Sequence, residues 1–252
     1  MSLLSGAGNT FHIVHETLDL GLTHDHERKR SIAKEICFNK PADGFIFLQI
    51  NNQALEWSFF NNDGSDAEMC GNATRCVGYF MKNKIQDPQS VWNLKTRSGL
   101  IKITSVTKEK FQVVMTPVIS LQSELGFYCN AGVPHLVLPI DKISDAKGLR
   151  LKSQELRNHP EFSPAGTNVT YVQKTAQENQ IKAVSYERGV ENFTAACGTG
   201  ALAAAFYNFT NHAIFETNVE MPGGMLIMNL ANFNQPTMIG PAILVESYDY
   251  EI

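Results

Sequence analysis

The chain has 252 residues, of which 43% are hydrophobic and 18% charged, and its formal net charge of −4 is spread without a basic block. That balance fits a globular protein with a real core, in one large domain or two ordinary ones, and it excludes nucleic acid as a partner. No apolar run approaches the roughly 18–20 residues that cross a bilayer, and Met1 to Thr10 lacks the basic start of a signal peptide, so a cytoplasmic protein with no membrane partner is expected.

From the N-terminus, Gly6-Ala7-Gly8-Asn9-Thr10-Phe11 carries two glycines of a dinucleotide fingerprint. The third glycine is missing and no strand is read before it, so a nucleotide site is set aside. His24-Asp25-His26-Glu27-Arg28-Lys29-Arg30 mixes signs and reads as a solvated helix start, not a metal site. Phe45 to Ile50 and Leu55 to Phe60 are β-prone, Asn61-Asn62-Asp63-Gly64 is a turn signal, and Cys70-Gly71-Asn72 opens a segment with Ala73, Cys76, Val77 and Phe80 at helical spacing. Gly99 to Val106, Phe111 to Met115, His135 to Pro139 and Asn168 to Val172 read as strands. Ile181 to Tyr186 alternates as a strand, Arg188-Gly189 turns, and Cys197-Gly198-Thr199-Gly200 opens Ala201 to Phe209, which is apolar nearly all round and belongs in a core. Met225 to Asn229 and Ile243 to Tyr248 are the last β-patterned runs.

Cys70 and Cys197 are separated by about half the chain, and their surroundings correspond: an apolar strand, a turn with an acidic residue and glycine, a Cys-Gly step, then a helix. One unit is used twice. Strands wrapped around one buried helix per half would bury both helices, and so few long helices argue against a doubly wound parallel sheet.

Five cysteines, an odd and scattered set, read as free thiols, and Cys37, Cys76 and Cys129 read as packing thiols. The Cys-Gly pairs differ because of where they stand. The first N–H groups of a helix lack internal partners and, with the dipole, favour negative charge. A thiol there drops from a pKa of about 8.5 toward roughly 3.5–7.5 and becomes a base at neutral pH. Glycine after each cysteine lets a ligand approach the backbone, and the same amides can hold a carboxylate. One thiolate and one thiol on opposite faces of an α-carbon would invert it in either direction. The residues alone leave two buried structural thiols as the competing reading.

These segments together resemble the diaminopimelate epimerase family along nearly the whole chain. The matching stretches are Gly6 to Phe11, Ala42-Asp43-Gly44, Asn61 to Ser65, Glu68 to Cys76, Gly132-Val133-Pro134-His135, Gly166 to Val169, Tyr186-Glu187-Arg188-Gly189, Ala196 to Gly200, Pro222-Gly223-Gly224 and Gly240-Pro241-Ala242. The resemblance implies an α/β (α+β) fold of two pseudosymmetric lobes, each a set of mostly antiparallel strands around a central helix. The lobes would be residues 1–115 with Cys70 and 116–237 with Cys197, and 238–252 would return a strand to the first. It implies a homodimer that acts on a small-molecule amino acid, with no cofactor, no PLP and no metal, in lysine and cell-wall precursor biosynthesis.

By the same resemblance Cys70 and Cys197 are acid and base, assisted by His135 and Glu187. Gly71, Asn72, Gly198, Thr199 and Glu187 would hold the α-carboxylate and amine of the substrate, and Asn9, Asn61, Asn168 and Arg188 its distal end. A guanidinium suits a distal carboxylate because its rigid fork meets both oxygens. Thr10 and Val133 stand where the family has Asp and Asn. These departures make racemisation of another amino acid the nearest alternative, and a non-catalytic amino-acid-binding protein the alternative of a different class.

Overall fold

The computed structural model describes residues 1–16, 25–51, 54–67, 69–97 and 99–249, so His24 and Glu68 of the stretches above lie outside the described residues. The chain divides into two compact units, Met1–Val113 with Gly240–Ile252, and Val114–Ile239. Among the described residues no helix is long and apolar enough to cross a membrane.

In the first unit β1 (Ser2–Gly6) and β2 (Asn9–His15) form a hairpin in which Leu4 faces Phe11. Ala7 and Gly8, both at positive φ (55° and 94°), make its turn. The segment set aside as a fingerprint is therefore a two-residue β-turn. A strand does precede it, contrary to the sequence reading, but it turns into another strand and not into a helix. Helix α1 (His26–Asn39), capped by the Asp25 carboxylate on the Arg28 amide, carries the chain to β3 (Gly44–Ile50), which lies parallel to β2. Antiparallel β4 (Leu55–Asn61) follows, then α2 (Gly71–Tyr79) with a π-helical turn (Phe80–Ile85), and β5 (Val91–Thr96) parallel to β4. Antiparallel β6 (Gly99–Ser105) and β7 (Lys110–Val114) complete the run, and at the other edge the C-terminal strand Ile243–Ser247 pairs with β1.

Period-two patterning explains the layering. On β3, Ile46 and Leu48 pack toward α2 with Leu4, Phe11, Ala73, Val77, Trp92 and Phe111, while Phe45 and Phe47 pack toward α1 with Ala33, Ile36 and Phe60. Helix α2 is buried along its length, from Gly71 to Gly78. The absence of a side chain at Gly78 permits this: a Cβ there would stand 2.7 Å from Phe111 and 2.8 Å from Ile103.

The second unit repeats the order of connections. β8 (Ile119–Leu121), β9 (Phe127–Asn130) and β10 (Pro134–Pro139) pair antiparallel. A 3₁₀ segment (Ile143–Leu149) and α3 (Arg150–Arg157) lead to β11 (Asn168–Lys174), parallel to β10, and β12 (Gln180–Glu187) returns antiparallel. After the short β13 (Asn192–Phe193) comes α4 (Gly198–His212), then β14 (Glu216–Met221), parallel to β12. Antiparallel β15 (Gly224–Asn229) and β16 (Thr237–Pro241) follow. In each unit, then, a helical crossover joins one parallel pair and a buried helix joins the next. Each is a mainly antiparallel sheet set around a central helix, an α+β fold.

Candidate active-site residues

Each central helix begins at a cysteine. Cys70 is the N-cap of α2 and Cys197 the N-cap of α4; both have extended backbone, and glycine follows each. None of the five cysteines is in a disulfide. Cys37 and Cys129 are buried, and burial pushes each thiol up to about 12; burial raises Cys76 as well. These three behave as packing thiols.

In the first unit the hairpin turn rests against the start of α2, where a Cβ on Gly6 would stand 2.6 Å from the Asn72 carbonyl oxygen. That approach brings Asn9 to Asn72. Arg75, wholly buried, donates from Nε to the Pro241 carbonyl at 3.2 Å and from Nη2 to Asn72 Oδ1 at 2.8 Å. Guanidinium has no acceptor, so Asn72 must turn its oxygen to Arg75 and its amino group to Asn9 Oδ1, 2.6 Å away. Asn9 is left with its own amino group to offer a ligand. Thr10, at the departure from the family pattern, points both its N–H and its hydroxyl at Asp43. Asn61 is exposed and donates to Ser65 within its own turn.

In the second unit His135, Asn168, Glu187, Arg188, Cys197 and Thr199 come together. His135 pairs in register with Asn168 across parallel strands, and Thr170 with Ser185 across the next antiparallel pair. His135 Nε2 lies 3.0 Å from Thr199 Oγ1 and 3.3 Å from Asn168 Nδ2; Nδ1 lies 2.9 Å from Thr170 Oγ1. Thr170 Oγ1 is in turn 2.9 Å from Ser185 Oγ. The Arg188 amide donates to Asn168 Oδ1 at 2.8 Å, and its guanidinium to the Ala165 carbonyl. Cys197 Sγ accepts from the Gly200 amide at 3.3 Å and lies 3.3 Å from Thr199 Oγ1. Thr194 donates its hydroxyl to Glu187, whose carboxyl also bonds Cys197. Thr170, Ser185 and Thr194 were not legible as site residues. Thr170 stands two positions from Asn168 on β11, Ser185 two from Glu187 on β12, and Thr194 just after β13, and no pattern in the sequence singles them out.

Electrostatics at Cys197 overturns one expectation. Burial, and then the Glu187 carboxylate, push its thiol well above the ordinary range, although the neighbouring Thr199 hydroxyl and then the Gly200 amide oppose them. The pull of a helix N-terminus is a fraction of a charge, and removing sulfur from water beside an anion outweighs it. Burial likewise raises the Glu187 carboxyl, against its bonds from Thr194 and Cys197. Burial, and then the Arg188 charge, hold His135 down at about 3, so its ring is neutral.

Comparison with known proteins places the chain in a family. The family model described as diaminopimelate epimerase matches residues 1–121 and 127–245. A diaminopimelate epimerase of Methanocella arvoryzae is 32% identical over 99% of this chain and 95% of its own length. That of Aquifex aeolicus is 34% identical over 86% of this chain and 84% of its own. Among solved structures, a Bacillus anthracis phenazine biosynthesis protein of the PhzF family aligns over 100% of this chain and 98% of its own with a TM-score of 0.78 at 14% identity. A hydroxyproline epimerase from Agrobacterium vitis, with bound trans-4-hydroxy-L-proline, aligns over 97% and 90% with a TM-score of 0.62 at 14% identity. At such identity these two likenesses concern the fold alone.

Proposed function

The chain belongs to the diaminopimelate epimerase family, and from that membership we propose how its own residues interconvert LL- and meso-2,6-diaminopimelate without a cofactor. One of Cys70 and Cys197, as thiolate, takes the α-proton; the other, as thiol, returns a proton to the opposite face. The roles exchange in the reverse direction. The observation that carries this reading is the repeated N-cap: two cysteines, each ahead of a glycine, at the entrance of the central helix of two units with the same order of connections.

General acid–base help supplies about 10²- to 10⁴-fold, so the α-carbanion also needs fixed donors, and helix-start amides each contribute roughly 2.7–4 kcal/mol when aimed at developing charge. The amides of Gly71, Asn72, Gly198 and Thr199 hold the α-carboxylate in this reading. Glu187 holds the α-amine and, with the neutral His135, serves the thiols. Asn9, through its amino group, and Asn61, Asn168 and Arg188 hold the distal end. The enzyme acts as a homodimer in the cytoplasm.

The test is incubation of the purified chain with LL-diaminopimelate in D₂O, with reductant and no added cofactor. Deuterium at the α-carbon together with formation of the meso isomer is expected. Exchange into another amino acid but not into diaminopimelate would transfer the reading to a racemase, as Thr10 and Val133 invite. No exchange into any amino acid would leave a binding protein.

A further inference from the structure

The hydrogen bonds around His135 have a direction that heavy-atom distances alone do not give. It begins at a group with no choice: the Arg188 backbone N–H only donates, so the Asn168 atom 2.8 Å from it is the oxygen. The Asn168 amino group therefore faces His135 Nε2, at 3.3 Å, and a proton on Nε2 would point at another donor. Nε2 keeps its lone pair and the ring proton sits on Nδ1, 2.9 Å from Thr170 Oγ1. Thr170 accepts there and passes its own proton to Ser185, 2.9 Å away. On the other side Thr199 donates to Nε2 across 3.0 Å. A hydroxyl has one proton. With it spent on His135, Thr199 presents only oxygen to Cys197 Sγ at 3.3 Å.

We propose that Thr170 is a positioning residue: with Asn168 it fixes His135 as the Nδ1–H tautomer, and the resulting one-way chain withholds the Thr199 proton from Cys197 and keeps Cys197 a resting thiol. The proposal rests on the reading of Cys197 as one of the two exchanging thiols. Among the described residues the titratable and charged groups around this chain are His135 itself, Cys129 opposite it on β9, Glu187 and Arg188. None of them can replace the missing donor, since Glu187 meets the sulfur with a carboxylate and Arg188 turns its guanidinium to Ala165. The inner links are sheltered from water, with His135, Thr170 and Ser185 fully buried and Thr199 half-buried at the end of the chain. Solvent therefore does not scramble the direction set at His135.

Two measurements on the full chain test this, neither of which uses substrate, so a failure to turn over diaminopimelate would count against the functional reading and not against this one. Nitrogen-15 NMR of histidine-labelled protein, with His135 assigned by its loss in His135→Gln, is expected to show a pyrrole-type Nδ1 and a pyridine-type Nε2 that do not titrate between about pH 5 and 8. The opposite tautomer, or a titrating ring, overturns the proposal. In Thr170→Val the ring proton loses its acceptor at Nδ1 and moves to Nε2, where Thr199 Oγ1 at 3.0 Å is a nearer partner than the Asn168 amino group at 3.3 Å. Thr199 then accepts from His135 and turns its own proton to the sulfur. Alkylation of Cys197 near neutral pH, followed by peptide mass spectrometry, is expected to rise about tenfold, the effect of one added hydrogen bond to a charged group. Thr170→Ser restores both readings. An alkylation rate unchanged or lowered in Thr170→Val also overturns the proposal, and if that variant does not fold, the wild-type tautomer decides alone.

Discussion

Cys70 and Cys197 hold the same backbone position in their respective helices: each is the N-cap, at φ −138°, ψ 119° and φ −124°, ψ 109°, with a glycine as the first helical residue. Their sulfurs are treated differently, for Cys197 caps the Gly200 amide whereas Cys70 makes no side-chain cap. An exchange in either direction needs both thiols, so neither is dispensable. Cys70→Ser or Cys197→Ser is expected to lower epimerisation by at least about 10²-fold, because a hydroxyl is too weak an acid to serve as base at neutral pH. A serine oxygen at position 197 still accepts from Gly200, so circular dichroism should not change. Chiral chromatography of the products decides, and a variant that keeps more than a tenth of the wild-type rate contradicts the assignment.

His135 links the site to stability. Burial holds its folded pKa at about 3, against 6.5 for the exposed ring, so between those values the unfolded chain binds a proton that the folded chain refuses. Stability is therefore full above pH 6.5 and declines as pH falls toward 3, by about 1.4 kcal/mol per unit from this residue alone. Carboxylates contribute their own slope, which a difference removes: urea unfolding of the wild type is expected to weaken with acid more steeply than that of His135→Gln by about one proton's worth. Parallel slopes would mean that the ring is protonated in the folded chain.

Much of this is legible in the sequence alone. The repeat about Cys70 and Cys197 was visible because a Cys-Gly step has a fixed local cause, the need for a close backbone approach at a helix start. The strands Phe45 to Ile50 and Ile181 to Tyr186 stood out through β-branched and aromatic residues. Less legible was β1, where Ser2, Ser5 and Gly6 dilute the pattern although Leu3 and Leu4 are buried. The depressed thiol was read from the helix dipole alone, and the burial that reverses it at Cys197 is a tertiary property. Thr170 and Ser185 were invisible for a similar reason: within Asn168 to Val172 and Ile181 to Tyr186 they look like ordinary β-formers, and only the register of three strands sets them beside His135.

Gly200 is held to glycine by the hydroxyl chain. A Cβ there would fall 2.1 Å from Ser185 Oγ, so Gly200→Ala must displace Ser185 or the first turn of α4. Overpacking of this kind costs about 1–3 kcal/mol. Removing the obstructing oxygen as well, in Ser185→Ala with Gly200→Ala, is expected to recover most of that loss. The two substitutions should then be non-additive in urea unfolding by about 1 kcal/mol or more. Simple additivity would show that α4 moves and Ser185 does not.

Asn9 separates binding from folding. Its oxygen accepts from Asn72 at 2.6 Å, in an orientation fixed by Arg75 behind it, and its amino group is what remains for the substrate. Asn9→Asp keeps the acceptor that Asn72 requires and replaces the donor by a second carboxylate oxygen. The fold should not notice, and thermal unfolding should stay near that of the wild type. A distal carboxylate would lose a charge-assisted hydrogen bond of about 1.5–3 kcal/mol and meet like charge in its place, so KM is expected to rise at least tenfold. Because that contact lies away from the reacting carbon, kcat should change far less than KM. A fall confined to kcat would place Asn9 at the reacting carbon instead, and would require the distal end to be held by Asn61, Asn168 and Arg188 without it.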